Sequence, residues 1–390
     1  VENPFVTNSD SALPGITRVA DAYDCDGLFE LLDNDRIVEL SRLKGDRGFS
    51  DAATVLRSTG ILTRRILREN LSAVDLALAV CRRLEQISGF SLSSLDAVLL
   101  CHSHVDAHQV VAVADELRDR LFLPDDLIRP FNHGCCGFLK LLHDASLLFE
   151  QDDLIERVAL LTVETPEFWH DGSDRLFCGI VSAGATAVLL ERGRGMTIES
   201  VCADDFRIPD HLRPNPDPLF HIADEPVVCF RGRPDHRAVM RMNAEPVFLN
   251  GIELMLSSLR SAVSVIEPAE HERIVVIPHQ PSGKLLKALI AAAKKEFPRF
   301  EFLNNLKEYG NTISSTIPTV LSRLPEVLQS NERLPLREGD HLILLAAGIC
   351  MEERANSMSA GYACLRWVPS DRVAATSEME IPSSNLRSST

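Results

Sequence analysis

The chain has 390 residues, 45% of them hydrophobic and only 6% aromatic, with a formal net charge of −16. That is ample for a large core in two domains or one duplicated domain, and the negative balance disfavours nucleic acid and anionic membrane as partners. No apolar run reaches the ~18 residues of a membrane-spanning helix, the N-terminus lacks a signal-peptide pattern, and the ten cysteines form no C-x-x-C pair, so a reducing, cytoplasmic setting is expected.

Residues 1 to about 50 carry no clear period. Asp24 to Arg47 mixes charge with Leu and Ile and reads as one or two helices. Ser72 with Asp75 three residues on is a capping-box arrangement. Leu76, Val80 and Leu84 mark the buried face of the helix it opens, and Leu95 to Cys101 reads as a buried strand. His102-Ser103-His104-Val105-Asp106-Ala107-His108 nearly spells the H-x-H-x-D-H zinc motif. Its last His is displaced by one residue, so the stretch reads as a polar loop near a substrate entrance, and no metal is expected. Pro130 to Leu139 then joins an apolar run to a helical pattern, Gly137 through Glu150. Val158 to Val163 is another buried strand, 191–195 a linker, and Met196 to Cys202 a restart with strand character. Residues 203–238 are rich in Pro, Asp and Arg and read as loops. A helix follows from about Glu245 to Val265. The run Val275-Val276-Ile277-Pro278 ends in His279, and a Lys-bearing helix spans about Pro281 to Glu296. Gly310-Asn311-Thr312 precedes a helix-like run from Ile313 to Leu324. Leu342 to Ala347 and Gly361 to Trp367 read as strands, and Ser370 to Thr390 as a disordered, Ser/Thr-rich segment.

Cys135 lies where a buried turn feeds a helix N-terminus. Free amide N–H groups and the positive end of the helix dipole favour a thiolate there. Gly134 and Gly137 clear side chains from around the sulfur. Alone, such a cysteine would read as a small core residue. His279 and Asn311, each at the edge of a regular element, make it a candidate nucleophile. His133 reads as a local hydrogen-bonding residue.

The order Cys135, His279, Asn311 resembles the active site of the ketoacyl-acyl-carrier-protein synthase III family. Cys135-Cys136-Gly137-Phe138 is similar to the family's Cys-Ala-Gly-Phe, and His279-Gln280-Pro281-Ser282 to its His-Gln-Ala-Asn with the Asn lost. Gly310-Asn311-Thr312 matches Gly-Asn-Thr, and Ser315-Thr316-Ile317-Pro318 the Ala/Ser-x-Ile-Pro tail. Thr59-Gly60-Ile61 with Arg64-Arg65-Ile66 resembles Arg-Thr-Gly-Ile-x-x-Arg, and Met242-Asn243-Ala244 with Val247-Phe248 resembles Met-Asn-Gly-x-x-Val-Phe. Agreement runs from about Thr59 to Trp367. There are departures. Thr54 and Ser58 stand where the family has a Trp and an Arg beside the coenzyme A adenine. Ala183 replaces an Asp in a Gly-Asp-Gly-Ala-Gly-Ala segment, and Ile349 and Cys350 replace glycines after Gly348 in an oxyanion-hole loop.

The resemblance implies an α/β protein of the thiolase fold, a duplicated five-layer α-β-α-β-α sandwich. Residues 1–194 would be the half carrying the nucleophile, 195–368 the half carrying His and Asn, and 369–390 a disordered tail. It implies an acyltransferase in which Cys135 takes an acyl group from a thioester. A malonyl-type thioester then loses carbon dioxide, with His279 and Asn311 donating to its oxygen, and condenses with the acyl group. A specialised fatty-acid or polyketide-type pathway is expected. Transfer to an oxygen or nitrogen nucleophile without decarboxylation, and an inactive partner subunit, stay open as alternatives. The substrates would be thioesters of coenzyme A or acyl carrier protein with no further cofactor, and the protein a homodimer. Arg175 matches a family Arg near the adenine, and Lys284, five residues after His279, a family Arg that contacts the carrier.

Overall fold

The computed structural model describes residues 13–45, 48–212, 217–269, 271–352 and 356–369. The chain opens with β1 (Pro14–Asp21), β2 (Phe29–Leu32), α1 (Asn34–Arg42), α2 (Ala52–Thr59) and β3 (Arg64–Leu67). It continues through α3 (Ala73–Ser88), β4 (Ala97–Cys101), α4 (Ala107–Leu121), β5 (Ile128–Phe131), α5 (Gly137–Gln151), β6 (Arg157–Glu164) and β7 (Gly184–Arg192). Then come β8 (Met196–Arg207), β9 (Phe220–Val228), β10 (Pro234–Met242), α6 (Ala244–Ile266), β11 (Ile274–Pro278) and α7 (Gly283–Glu296). The last elements are β12 (Glu301–Phe302), α8 (Leu306–Tyr309), α9 (Thr316–Ser322), α10 (Leu324–Ser330), β13 (His341–Ile349) and β14 (Ser357–Arg366).

Ten strands pair in the order β12-β11-β13-β14-β8-β1-β7-β6-β4-β5. The two ends of this order repeat each other. From β1 outward, the pairings are antiparallel to β7, antiparallel to β6, parallel to β4 and parallel to β5. From β8 outward, β14, β13, β11 and β12 follow with the same directions. The strand that opens each half lies innermost, and the two meet at Gly15–Thr197 and Ile16–Met196. Parallel pairs need crossovers, and α4, α5 and α7 supply them.

Three apolar clusters stack the layers. α3 and α4 pack one face of the first half's strands. α6 and α7 pack one face of the second half's strands. Between the halves lie α5, α9 and α10, whose Leu139, Leu142, Val320 and Leu324 share one cluster with strands of both. The result is the duplicated α-β-α-β-α sandwich of the thiolase fold. Strands covered on both faces read as unbroken apolar runs, as in β4, where all five residues are buried. The Ser72–Asp75 capping box forms as expected. Arg64 is a structural residue: wholly buried, it donates from Nε to Gly179 O at 3.0 Å and from Nη2 to Thr59 Oγ1 at 3.2 Å.

Three sequence expectations need correction. First, the N-terminal stretch contains the innermost strand. β1 interrupts its apolar residues with Thr17 and Arg18, so periodicity does not mark it; ladders to β7 and β8 on both sides hold it extended. Second, the helix expected within 24–47 is only α1, capped by Asp33, and 29–32 is a strand paired with β3; residues 46–47 lie outside the described residues. Third, most of 203–238 is not loop. β8 runs on to Arg207, and β9 and β10 form a hairpin turned by Gly232 at φ 82°. Cross-strand charge pairs such as Arg241–Glu225, 2.6 Å, stand where apolar alternation would otherwise signal a strand. Residues 213–216 and, apart from Pro369, the expected disordered tail lie outside the described residues. Among the described residues, no helix is long and apolar enough to cross a membrane.

Candidate active site

Cys135 belongs to a single 3-10 turn, Gly134–Cys136, between β5 and α5. Gly134 has φ 64°, and a Cβ there would sit 3.0 Å from Ile349 O and Met351 Cγ, so only glycine suits the turn. Cys136 is wholly buried in the central cluster, whereas Cys135 lines a pocket. β13 passes directly against the thiol: a Cβ on Gly348 would lie 2.4 Å from Cys135 Cβ and 3.0 Å from Sγ. Glycine at 348 therefore brings the backbone of the second half to the sulfur of the first.

The expected thiolate is not the resting form. Burial, with the nearby Glu164 carboxyl adding to it, pushes the Cys135 thiol up to about 12. The start of α5 has no side-chain cap, so its amides still act in the opposite sense, but the dry surroundings dominate. Cys135 rests as a thiol and needs a base.

Glu164 ends β6 and is wholly buried. Its carboxyl accepts from the Ser103 hydroxyl at 2.8 Å, the Ser103 amide at 3.3 Å and the Ser314 hydroxyl. Burial nonetheless raises it to about 8. Sequence reading passed over this residue, although an acid closing a mainly apolar, buried strand was the available signal. The folded protein holds a proton here that the unfolded chain releases above pH ~4.5, so this group's contribution to stability falls as pH rises from there to about 8, and is flat beyond. Glu164→Gln keeps an acceptor oxygen but cannot ionise. Its melting temperature relative to the parent should climb across that window; a difference independent of pH would refute the buried ionisation.

Ser103 belongs to the His102–His108 stretch, whose polar atoms serve the fold. His102 Nδ1 donates to Val163 O at 2.7 Å, and the Asp106 side chain accepts from His108 N to cap α4. His133 does not make the hydrogen bonds expected of it: Nδ1 lies 3.1 Å from Glu352 Oε1 without forming one, Nε2 has no partner, and the ring stacks 4.9 Å from that of Phe131.

His279 follows β11, and its amide donates to Leu345 O at 2.6 Å. Burial pulls the imidazole down to about 3, so it is neutral. Nδ1 lies 2.7 Å from Thr316 Oγ1, while Nε2 is buried with no hydrogen-bond partner. Asn311 is pinned from the first half: its amide donates to Ile180 O at 2.8 Å, and its carbonyl accepts from Ser182 N at 2.9 Å. Its Oδ1 accepts from Ile313 N at 2.9 Å, which leaves Nδ2 as the end of the side chain available to a ligand. Cys135, His279 and Asn311 line the same pocket.

The other two candidates lie outside that lining. Arg175 is exposed, with its guanidinium 4.6 Å from the centre of the Phe49 ring. Lys284 is exposed in the first turn of α7, behind the cap Ser282. Each adjoins a lining residue, Leu176 and Leu285 respectively.

Comparison with known proteins agrees with this architecture. Residues 270–354 match the family model described as 3-oxoacyl-[acyl-carrier-protein] synthase III, C terminal. The chain is 25% identical over 336 residues to beta-ketoacyl-[acyl-carrier-protein] synthase III of Paracoccus denitrificans, covering 85% of this chain and 96% of that protein. With the Pseudomonas aeruginosa protein of the same name it shares 26% over 317 residues, covering 81% and 88%. The crystal structure of 3-oxoacyl-(acyl carrier protein) synthase III from Pseudomonas aeruginosa superposes with a TM-score of 0.69 at 22% identity, over 92% of this chain and all of that one. The fold is the thiolase fold, and the proteins matched in sequence are named as acyl-carrier-protein synthases. In sequence and in fold the chain is similar to the ketoacyl-acyl-carrier-protein synthase III family, whose C-terminal model its residues 270–354 match.

Proposed function

We propose that this protein is a condensing enzyme: Cys135 accepts an acyl group from a thioester, and the acyl group then condenses with a malonyl-type thioester that loses carbon dioxide. The observation that carries the reading is the orphaned Nε2 of His279 in the pocket shared with Cys135 and Asn311. A buried polar atom without a partner points to a ligand atom.

The chemistry follows from the bonds around Thr316. Its hydroxyl reaches both His279 Nδ1 at 2.7 Å and Ile313 O at 3.1 Å. When it donates to Ile313 O, its oxygen accepts from Nδ1–H, and Nε2 presents a lone pair. Nε2 is then the base that takes the Cys135 proton as sulfur attacks the thioester carbon. The proton leaves with the departing carrier thiol. Backbone N–H groups of Cys135 and of the segment after Gly348 meet the oxyanion. When Thr316 instead donates to Nδ1, Nε2 carries the hydrogen. Nε2–H and Asn311 Nδ2 are then two neutral donors to the malonyl thioester oxygen, where charge builds as the carbon–carboxylate bond breaks. The enolate carbon attacks the acyl carbon, and the Cys135 thiolate leaves.

In this reading, residues 1–194 form the half that carries the nucleophile and 195–368 the half that carries the two donors; the repeated strand order supports the division. The intact trio favours an active enzyme over an inactive subunit. Ala183 and Ile349, at positions where the family pattern differs, support a specialised fatty-acid or polyketide-type pathway in the cytoplasm, and the resemblance implies a homodimer. Intact-mass spectrometry after incubation with acyl thioesters, with carbon dioxide release from malonyl thioester measured in parallel, tests the reading. An acyl increment without carbon dioxide would instead support transfer to an oxygen or nitrogen nucleophile.

An acidic acyl carrier protein approaching a chain of net charge −16 needs a local basic patch. Exposed Lys284 and Lys287 offer one beside the pocket residue Leu285, with the N-terminus of α7 adding to the positive field. Arg175 is assigned to the coenzyme A side. Lys284→Glu should raise KM for carrier-bound substrate far more than for a short thioester mimic. The effect should fade with salt, because exposed charges are screened over about 10 Å at 0.1 M. Equal loss with both substrates would place Lys284 in support of the fold instead.

A further inference from the structure

The pocket contains one polar feature that the condensation chemistry does not use. Trp169, His170 and Phe177 all line it, and their rings pack in series, tilted by 37° and 56°, with centroids 4.0 and 4.1 Å apart. Trp169 is 3% exposed, and its Nε1–H is buried with no acceptor. An indole nitrogen can only donate, and a buried donor left alone is uncommon enough to need a reason. His170 supplies the complement. Its Nδ1 lies 3.0 Å from Pro166 O. A carbonyl only accepts, so Nδ1 carries the hydrogen; burial keeps the ring neutral, and Nε2 is left as a bare acceptor. A donor and an acceptor thus sit on adjacent rings in contact.

The rest of the wall is apolar, with Met240, Met242, Val247 and Met358 among its residues, and no Lys, Arg, Asp or Glu lines it among the described residues. That lining suits a neutral acyl chain and excludes a charged one. A plain hydrocarbon would leave the indole N–H unmet. A ketone or ether would satisfy Trp169 but not His170. A hydroxyl satisfies both.

We propose that the pocket selects an acyl group bearing a hydroxyl, which accepts from Trp169 Nε1–H and donates to His170 Nε2. This rests on the reading that Cys135 is acylated in this pocket. The loading rate of Cys135 is to be followed by intact-mass spectrometry with the N-acetylcysteamine thioesters of octanoate and of its hydroxylated regioisomers. In the wild-type protein, one regioisomer should load about tenfold faster than octanoate, the worth of two ordinary net hydrogen bonds. In Trp169→Phe, which keeps a ring and removes the N–H, that ratio should fall to about threefold, because the hydroxyl keeps only its bond to His170 Nε2. Equal wild-type rates for every chain overturn the hydroxyl assignment while leaving Cys135 acylation standing, and need no variant to fold. Persistence of the full tenfold advantage in a folded Trp169→Phe overturns it as well. No adduct on Cys135 with any thioester sinks the acylation reading, and this proposal with it.

Discussion

Cys135→Ala is expected to abolish acyl loading outright, whereas Cys136→Ala should still load. The two sulfurs are neighbours in sequence but face different surroundings. Cys136 is wholly enclosed by the central α5 layer, out of reach of a substrate. Cys135 lines the pocket, and glycine at 348 is what lets β13 approach its sulfur. Because the resting group is a thiol held up to about 12 by burial and Glu164, loading draws on His279 as base. It should therefore slow in His279→Ala without disappearing, since solvent base can substitute slowly at high pH. Peptide mapping of the adduct checks the assignment. An acyl group found on Cys136 would reverse it.

The second large effect is expected at Asn311. Asn311→Ala should load Cys135 at close to the parental rate yet release carbon dioxide from malonyl thioester about 100-fold more slowly or worse, the usual loss for one oxyanion donor. The side chain's Oδ1 is committed to Ile313 N, so its available function is donation from Nδ2. Asn311→Asp is the sharper variant. An ionised carboxylate has no N–H to offer and would repel the charge that builds on the thioester oxygen. It should decarboxylate no faster than Asn311→Ala. His279→Ala should lose decarboxylation to a similar degree, because Nε2–H is the other neutral donor. Radiometric capture of carbon dioxide separates this stage from loading. Near-parental release from Asn311→Ala would remove that residue from the site.

Much of this protein was legible in the chain itself. Fully covered strands announce themselves as apolar runs, as at Ala97–Cys101 and Leu342–Ala347, because burial on both faces leaves no room for polar residues. The helices were legible where a cap met an apolar stripe, as at Ser72 and Leu76. The candidate trio was visible as three polar residues at the ends of such elements, in an order that resembles one family. Other features existed only once the chain had folded. Thr17 and Arg18 break the apolar run of β1, and only ladders to β7 and β8 make it the strand that joins the halves. The hairpin β9–β10 is stabilised by pairing of charges that in sequence look like loop. The protonation of the site was the least predictable part. A helix N-terminus suggests a thiolate at Cys135, but a chain read in order does not show that Glu164, from a different strand, lies close by in the same dry interior. Nor does it show that Trp169 Nε1 and His279 Nε2 are left without partners. Local sequence sets what a segment prefers. The dielectric and the hydrogen-bond partners of a buried group are set by whatever the fold packs around it, and those neighbours come from all over the chain.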